Sequence, residues 1–373
     1  MPNGSILVYR LGMTKTSLFP RWTVAAPVVA WALLAGVLLG LGGSVYAAVL
    51  MAGLLWSVFA GVHHAEVVAH RVGEPFGSLV LAVAVTIIEV ALIVSLMVAG
   101  GPEASGLARD TVFAAVMIIL NAIVGLCLLE GGVLHKEQVF RADGVRAALT
   151  TLVAISVLTL ILPNYTTSVP GPVYSKAQLV FIAIVSAILY GTFLLVQNVR
   201  HRCYFLAEGD GAGDDVHAAP PSTRGAFFAA GLLLGCLGAV VLLAKALAPT
   251  LEAVTEAIGA PTSFVGVIIA AIVLLPEGTA AVRAAHCNRL QTSLNLALGS
   301  ALASIGLTIP AVALVSLVTG MPLSLGIDMK ATVLFILSLF VSVLSLGTGR
   351  TTILQGAVLL VIFGVYVLTA IVP

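Results

Sequence analysis

Two glutamates stand alone inside long apolar stretches of the sequence. Glu89 lies in LVLAVAVTIIEVALIVSLMV, and Glu277 lies in FVGVIIAAIVLLPEGTAAV. Placing a charge at the centre of a bilayer costs about 2.5–3.5 kcal/mol on insertion scales, so such residues are rarely without a function. Desolvation favours the protonated carboxyl, whereas an arriving cation favours the ionised form. Proton and cation would therefore compete for one site, which is the physical basis of ion exchange.

Polar side chains in the segment that follows each glutamate could supply further ligands. Asn121 is the one amide in the middle of its segment, and Ser300, Ser304 and Thr308 recur every four residues. That spacing places the three hydroxyls on one face of a helix. Hydroxyl and amide oxygens suit hard cations. Pro276 removes a backbone donor, so carbonyl groups near the second glutamate are further candidate ligands.

Each of these features also has a purely structural interpretation. A protonated glutamate can act as a hydrogen bond between two helices. Ser and Thr often bond back to their own helix, and a proline often only kinks one. The hydroxyls and the proline stay open between the two interpretations. Two acids in matching places favour the functional one for the glutamates.

Four other groups of residues are predicted to be interfacial, structural or part of a solvated loop. His63, His64, Glu66 and His70 fall at one end of the second segment, without the HExxH spacing of a zinc site, and solvation or pH sensing would explain them. Glu130 lies near a predicted helix end, where we expect it to be interfacial. The four scattered cysteines are expected to be small buried residues. The polar stretch over residues 198–225 contains four acids that are expected to keep a flexible loop solvated: Glu208, Asp210, Asp214 and Asp215.

The composition requires that these residues be held by a membrane protein. The 373 residues are 60% hydrophobic and 9% charged, whereas a soluble domain carries about 25% charged residues. A spanning helix needs about 20 mostly apolar residues. The segments lack the period-two alternation of barrel strands, so an all-α polytopic membrane protein is predicted. The eleven candidate spans are 23–41, 44–62, 77–99, 110–131, 147–164, 177–197, 226–248, 263–285, 293–319, 330–346 and 352–372.

The distribution of Lys and Arg predicts the orientation of the chain in the membrane. If the N-terminus is cytoplasmic, the inner segments hold 13 basic residues and the outer segments hold 4, which accounts for all 17. This asymmetry follows the positive-inside rule, so we expect the N-terminus inside and the C-terminus outside. The net charge of +1 gives no reason to expect a nucleic acid or another highly charged partner.

A polar stretch over residues 198–225 divides the chain. We predict an N-terminal tail and extra helix over 1–43, a first five-helix repeat over 44–197, a cytoplasmic acidic linker over 198–225, and a second five-helix repeat over 226–373. An odd number of helices per unit makes the second repeat enter the membrane from the opposite side. Gly73-Glu74-Pro75 and Gly259-Ala260-Pro261 precede the helices of the two glutamates, as a faint trace of duplication.

Three runs of sequence carry a resemblance to a known family. HHAEVVAHRVGEPFGSLVLAVAVTIIEVALI, LLPEGTAAVRAAHCNRLQTSLNLALGSALASIGLTIP and TGRTTILQGAVLLVIFGVYVLTA resemble bacterial ChaA-type sodium–calcium/proton antiporters, in the CAX branch of the calcium/cation antiporter superfamily. The resemblance covers the chain from about residue 20 to its end. It implies eleven helices, a ten-helix inverted-repeat core, and exchange of a cytoplasmic cation for external protons.

The resemblance also assigns a cation and proton site. Glu89 and Glu277 match the glutamates that end the paired Gly-Asn-x-x-Glu motifs of the family. Asn121 is similar to the asparagine of the next helix, and Gly299 with Ser300 matches the Gly-Ser pair of the second half. The sequence departs from the family where Val85, Thr86, Val273 and Leu274 replace the motif glycines and asparagines, and where Ala303 replaces a glutamine. The missing amides leave Ca²⁺, Na⁺ and K⁺ all open as the transported ion.

The sequence therefore predicts a secondary active cation/proton antiporter that works by alternating access. Its expected partners are the lipid bilayer, inorganic cations and protons. Ca²⁺, Na⁺ or K⁺ would be cargo, and no cofactor is expected. The bacterial inner membrane is the expected location, and a homo-oligomer is left open. A passive cation channel is the alternative, although no ring of filter residues stands out. An intramembrane enzyme is disfavoured because neither acid has a nucleophile or a histidine beside it.

Overall fold

The computed structural model describes residues 19–73, 76–206, 221–261 and 263–372, and these residues are almost entirely helical. The helices are α1 Arg21–Leu38, α2 Ser44–Val72, α3 Phe76–Gly100, α4 Leu107–Met117, α5 Val124–His135, α6 Ala142–Ser156, α7 Lys176–Leu195, α8 Thr223–Ala257, α9 Phe264–His286, α10 Leu290–Thr319, α11 Met329–Leu346 and α12 Ile353–Ile371. Two short antiparallel strands, β1 Gln138–Val139 and β2 Arg350–Thr351, pair with each other.

Eleven helical stretches of the described chain are long and apolar enough to cross a membrane, as predicted. The fourth stretch joins α4 and α5 through the π-helical residues Ile118–Ile123. Several helices run further than the apolar segments indicated. The predicted second segment ends at residue 62, whereas α2 has 29 residues and extends to Val72. Such a helix is about 44 Å long, so its polar last turns pass beyond the hydrocarbon core.

The helices on either side of the polar stretch cross-pack. α3 lies against α10, and α9 lies against α4 and α5. The first helix of each predicted repeat, α2 and α8, also form the most extensive helix pair. The two glutamates occupy the same position in their helices, because Glu89 and Glu277 each lie thirteen residues after the first residue of the helix. Crossed packing of this kind is the arrangement that two inverted repeats would give.

Some predictions fall outside the described residues, and others need correction. The linker acids and Glu74-Pro75 lie outside the described ranges, so the domain boundaries stay predictions. The expectation of buried cysteines is right for Cys127 and Cys236 but wrong for Cys203 and Cys287, which are exposed. Cys203 lies in the short 3-10 helix Arg202–Phe205 that follows α7, and Cys287 caps the C-terminus of α9, so both lie outside the spanning helices.

The extra N-terminal helix α1 is fastened to both α2 and α8. The indole nitrogen of Trp31 on α1 donates to the Gly235 carbonyl of α8 at 3.1 Å. The indole nitrogen of Trp56 on α2 donates to the Trp22 carbonyl of α1 at 3.0 Å. α1 therefore bridges the two helices that begin the predicted repeats.

A buried histidine provides the most specific of these links. Pro27 lies inside α1, and its ring nitrogen cannot bond the Thr23 carbonyl one turn earlier. His64 of α2 is fully buried, and its Nε2 donates to that same carbonyl at 3.1 Å. The interfacial location expected for His64 is therefore wrong, because α1 covers this part of α2. The histidine replaces the hydrogen bond that the proline removes.

We expect a His64→Leu substitution to destabilise the protein by about 1–3 kcal/mol, because it leaves the Thr23 carbonyl buried without a donor. The midpoint of thermal unfolding in detergent should fall. His64→Gln, which keeps an N–H donor, should recover part of the loss. His70→Leu is the matched control, because His70 is exposed on the same helix. A His64→Leu protein that unfolds at the wild-type temperature would contradict this account.

Candidate functional site

Glu89 and Glu277 lie on neighbouring helices within electrostatic range of each other, and Glu277 is half-buried. Only 2% of the Glu89 surface is exposed. The charge of Glu277 acts on Glu89 as a like-charge neighbour, although the two residues lie on the separate helices α3 and α9. Two carboxyls in mutual range cannot both ionise without a cost unless a positive charge lies between them. The pair is therefore suited to hold either protons or a cation.

The surroundings of Glu89 are polar because α3 packs against α10. Thr308 Oγ1 donates to Glu89 Oε2 at 3.0 Å, and the Ser304 hydroxyl bonds the same side chain. Thr308 is fully buried, and Ser304 is nearly so. The hydroxyls of Ser304 and Thr308 therefore bond a side chain of another helix, and their role is not limited to bonds within α10. It supplies donors to the first glutamate.

Within the described chain, the carboxyl of Glu277 has an oxygen without a hydrogen-bond partner. Its Oε2 is buried and has no hydrogen-bond partner among the described residues. Pro276 cannot donate to the Ile272 carbonyl one turn before it. The next residue, Gly278, lies against Ile123 of the π-helical segment, where a β-carbon would come within 3.1 Å of the Ile123 side chain. Glu277 thus lies beside two stretches of irregular backbone, the proline turn of α9 and the π-helical segment Ile118–Ile123.

Asn121 lies in the π-helical segment, but its amide nitrogen bonds elsewhere. It donates to Ser338 Oγ of α11 at 3.0 Å and to the Met117 carbonyl at 3.1 Å. Its Oδ1 is buried without a partner in the described chain, so this oxygen is still available to a ligand. Ser300 is half-buried, one helical turn before Ser304 on α10. The structure thus joins Glu89 to Thr308 and Ser304 directly, and it brings neither Asn121 nor Ser300 into a bond with Glu89.

Aliphatic side chains replace the motif glycine and asparagine that the resemblance would place before Glu277. Val273 and Leu274, in the turn before Glu277, are both buried. Within the described ranges, no group of three or more His, Cys, Asp and Glu side chains could hold a metal ion. The available ligands are carboxylate, hydroxyl and amide oxygens, with the Ile272 carbonyl, to which Pro276 cannot donate, as a further candidate. Such a set suits a hard cation that binds and leaves.

Charged residues also gather at the ends of the core helices. Glu130 Oε1 bonds His286 Nδ1 at 2.6 Å, and a ring nitrogen of His135 donates to the His286 carbonyl at 3.0 Å. These bonds tie the end of α9 to the end of α5. Glu130 and His286 are 156 residues apart, so the sequence pattern carries no signal of their pairing.

An ion pair that sequence reasoning also missed lies at the other end of the same helices. Arg109 Nε contacts Asp110 Oδ1 at 2.7 Å beside a cavity of about 150 Å³. Asp328 and Lys330 also line this cavity. On the orientation predicted from Lys and Arg, the cavity would open outside the cell. Glu66, which is exposed on α2, acts electrostatically on Glu277 from the opposite side.

Comparisons with known proteins agree with this architecture. The family model for the sodium/calcium exchanger protein matches residues 42–199 and 228–372. The y4hA protein of Sinorhizobium fredii, an ionic transporter by name, is 51% identical over 335 residues, which are 88% of this chain and 90% of that protein. The sodium-potassium/proton antiporter ChaA of Escherichia coli is 38% identical over 319 residues, which are 85% of this chain and 86% of its own.

Solved structures share the fold at low sequence identity. The native YfkE structure superposes with a TM-score of 0.72 at 19% identity and covers 95% of this chain and 99% of its own. The H⁺/Ca²⁺ exchanger CAX superposes with a TM-score of 0.67 at 15% identity and covers 93% of this chain and 87% of its own. At these identities the likeness concerns the fold of the helices.

The bond between Asn121 and Ser338 predicts an energetic coupling between α4–α5 and α11. We expect a double-mutant cycle of Asn121→Ala and Ser338→Ala to give a coupling of about 0.6 kcal/mol, the average for hydrogen bonds between membrane helices. Reversible unfolding in mixed micelles would measure it. Strictly additive losses would mean that the contact contributes nothing to stability.

Proposed function

The chain belongs to the sodium/calcium exchanger protein family and is an integral membrane cation antiporter, and on that premise we propose that it exports cytoplasmic Na⁺ or K⁺, or Ca²⁺, in exchange for external protons. Glu89 and Glu277 are the residues that bind proton and cation in turn, and Asn121 and Ser300 complete the site. The observation that carries the proposal is the pair of interior carboxyls on crossed helices, one with hydroxyl donors and one with a free oxygen.

The proposed mechanism is alternating access. With the site open to the cytoplasm, a cation displaces protons from the two carboxyls. The helices then rock around the fixed pair, the site opens outside, and external protons displace the cation. α2 and α8 are the natural moving elements, because they form their own extensive contact and lie beside the core. An inner-membrane location with a cytoplasmic N-terminus belongs to the same proposal.

A monovalent cation is favoured over Ca²⁺ as the main substrate. Ca²⁺ takes six to eight oxygen ligands, usually with several carboxylates or amides. Here buried Leu274 stands where the resemblance would place an asparagine, so the site has fewer amide oxygens. The relative from Escherichia coli, named a sodium-potassium/proton antiporter, supports the same choice.

The test is transport by the purified protein in liposomes that contain a pH dye and carry an imposed proton gradient. Addition of Na⁺, K⁺ or Ca²⁺ to wild type should cause proton movement with at least one ion. Glu89→Gln and Glu277→Gln should each lower that exchange at least 100-fold, because an uncharged amide can neither carry the proton nor neutralise the cation. Glu252→Gln is the matched control, because Glu252 is exposed on α8.

The outcomes also separate antiport from a passive channel. A channel would pass cations without moving protons, and the glutamine variants would keep some of that leak. Folded protein with no cation-dependent proton movement for any of the three ions would overturn the proposed antiport. Equal loss in Glu252→Gln would show that the loss is not specific to the interior carboxyls.

Competition between proton and cation predicts a particular pH dependence. Protons occupy the carboxyls at low pH, so the half-saturating cation concentration should fall about tenfold per unit rise of pH for each competing proton. The effect should level off once the carboxyls are ionised. Initial rates at a series of cation concentrations and pH values measure it. A half-saturating concentration that does not change with pH would exclude a shared site.

A further inference from the structure

Thr308 differs from most threonines in the helices of this protein. In membrane helices a Thr hydroxyl usually bonds the carbonyl four residues earlier. Seven threonines do so here, at 2.7–2.9 Å: Thr111, Thr151, Thr159, Thr255, Thr319, Thr332 and Thr369. The hydroxyl of Thr308 instead crosses to another helix and donates to Glu89 Oε2. The ordinary structural role of a buried Thr therefore does not account for it.

The bond has the geometry of a donor that stabilises a charged carboxylate. The 3.0 Å distance joins two side chains that are both almost wholly removed from solvent. Hydrogen bonds to charged groups are stronger than neutral ones, and low surrounding polarity strengthens them further. Ser304, one turn earlier on α10, adds a second donor to the same carboxyl. Both hydroxyls therefore hold the Glu89 carboxyl from α10.

In the described part of the chain, Glu277 has no such hydroxyl donor. Its Oε2 has no hydrogen-bond partner among the described residues, and the charge of Glu66 acts on it as well. Among the helices packed around α3, the charge that acts on Glu89 is that of Glu277 on α9. The two carboxyls thus occupy matching places in crossed helices but differ in their hydrogen-bond donors.

We propose that Thr308, together with Ser304, is a positioning residue that holds the Glu89 carboxyl in the orientation in which it binds the cation. This inference rests on the proposed function. Without the two hydroxyls the carboxyl can turn away from the cation, so the cation binds less tightly. The affinity of the transporter for its cation then depends on α10 as well as on the two glutamates.

The test compares Thr308→Val with Thr308→Ser in the liposome assay. Val has nearly the shape of Thr but donates no hydrogen bond, so it no longer holds the Glu89 carboxyl. We expect the half-saturating cation concentration, measured at one fixed pH, to rise about tenfold with little change in the maximal rate. Thr308→Ser should keep the wild-type half-saturating concentration, because it keeps the hydroxyl.

Two further variants make the result decisive. Thr255→Val removes a buried hydroxyl that bonds only its own helix, so its half-saturating cation concentration should match wild type. Ser304→Ala should raise the half-saturating concentration as Thr308→Val does, which tests the inference independently if Thr308→Val does not fold. An unchanged half-saturating concentration in a folded Thr308→Val or Ser304→Ala protein, or an equal rise in Thr308→Ser or Thr255→Val, would overturn the inference. Absence of exchange in wild type would instead overturn the proposed function.

Discussion

A carboxyl group in the interior of a membrane protein must find a partner inside the protein, and the rest of this structure follows from that constraint. Glu89 finds its partners on α10, in the other half of the chain, through Thr308 and Ser304. The contact requires α3 and α10 to cross, and the second glutamate lies in the corresponding crossing of α9 with α4 and α5. The helices that carry the two acids are therefore held by the opposite half of the protein.

Irregular backbone gathers at the same level of the core. The π-helical segment surrounds Asn121, and Pro276 precedes Glu277. Exposed to lipid, such irregularities would leave polar backbone groups unpaired at a high cost. Here Gly278 and Ile123 bring the two irregular segments against each other, so protein rather than lipid covers them. This combination gives the site oxygen atoms that a regular helix would use for its own hydrogen bonds.

The sequence predicts the number of spans and the two interior acids because both depend on local composition. Long apolar runs require helices, and an isolated Glu89 or Glu277 stands out against them. The sequence does not predict contacts between distant segments, such as Thr308 with Glu89 or His286 with Glu130. The predicted helix ends fall too early where polar residues continue a helix into the aqueous phase, as in α2. Whether Asn121 and Ser300 bind the cation remains a prediction.

The crossed packing has a consequence for the biogenesis of the protein. Glu89 is separated from Thr308 by 219 residues, so α3 is synthesised long before its hydrogen-bond donor exists. Until α10 arrives, a nascent chain can keep Glu89 in the membrane only as the neutral acid or beside a temporary partner. The first half of the chain is accordingly incomplete on its own. The surroundings of Glu89 are finished only when α10 has been synthesised and packs against α3.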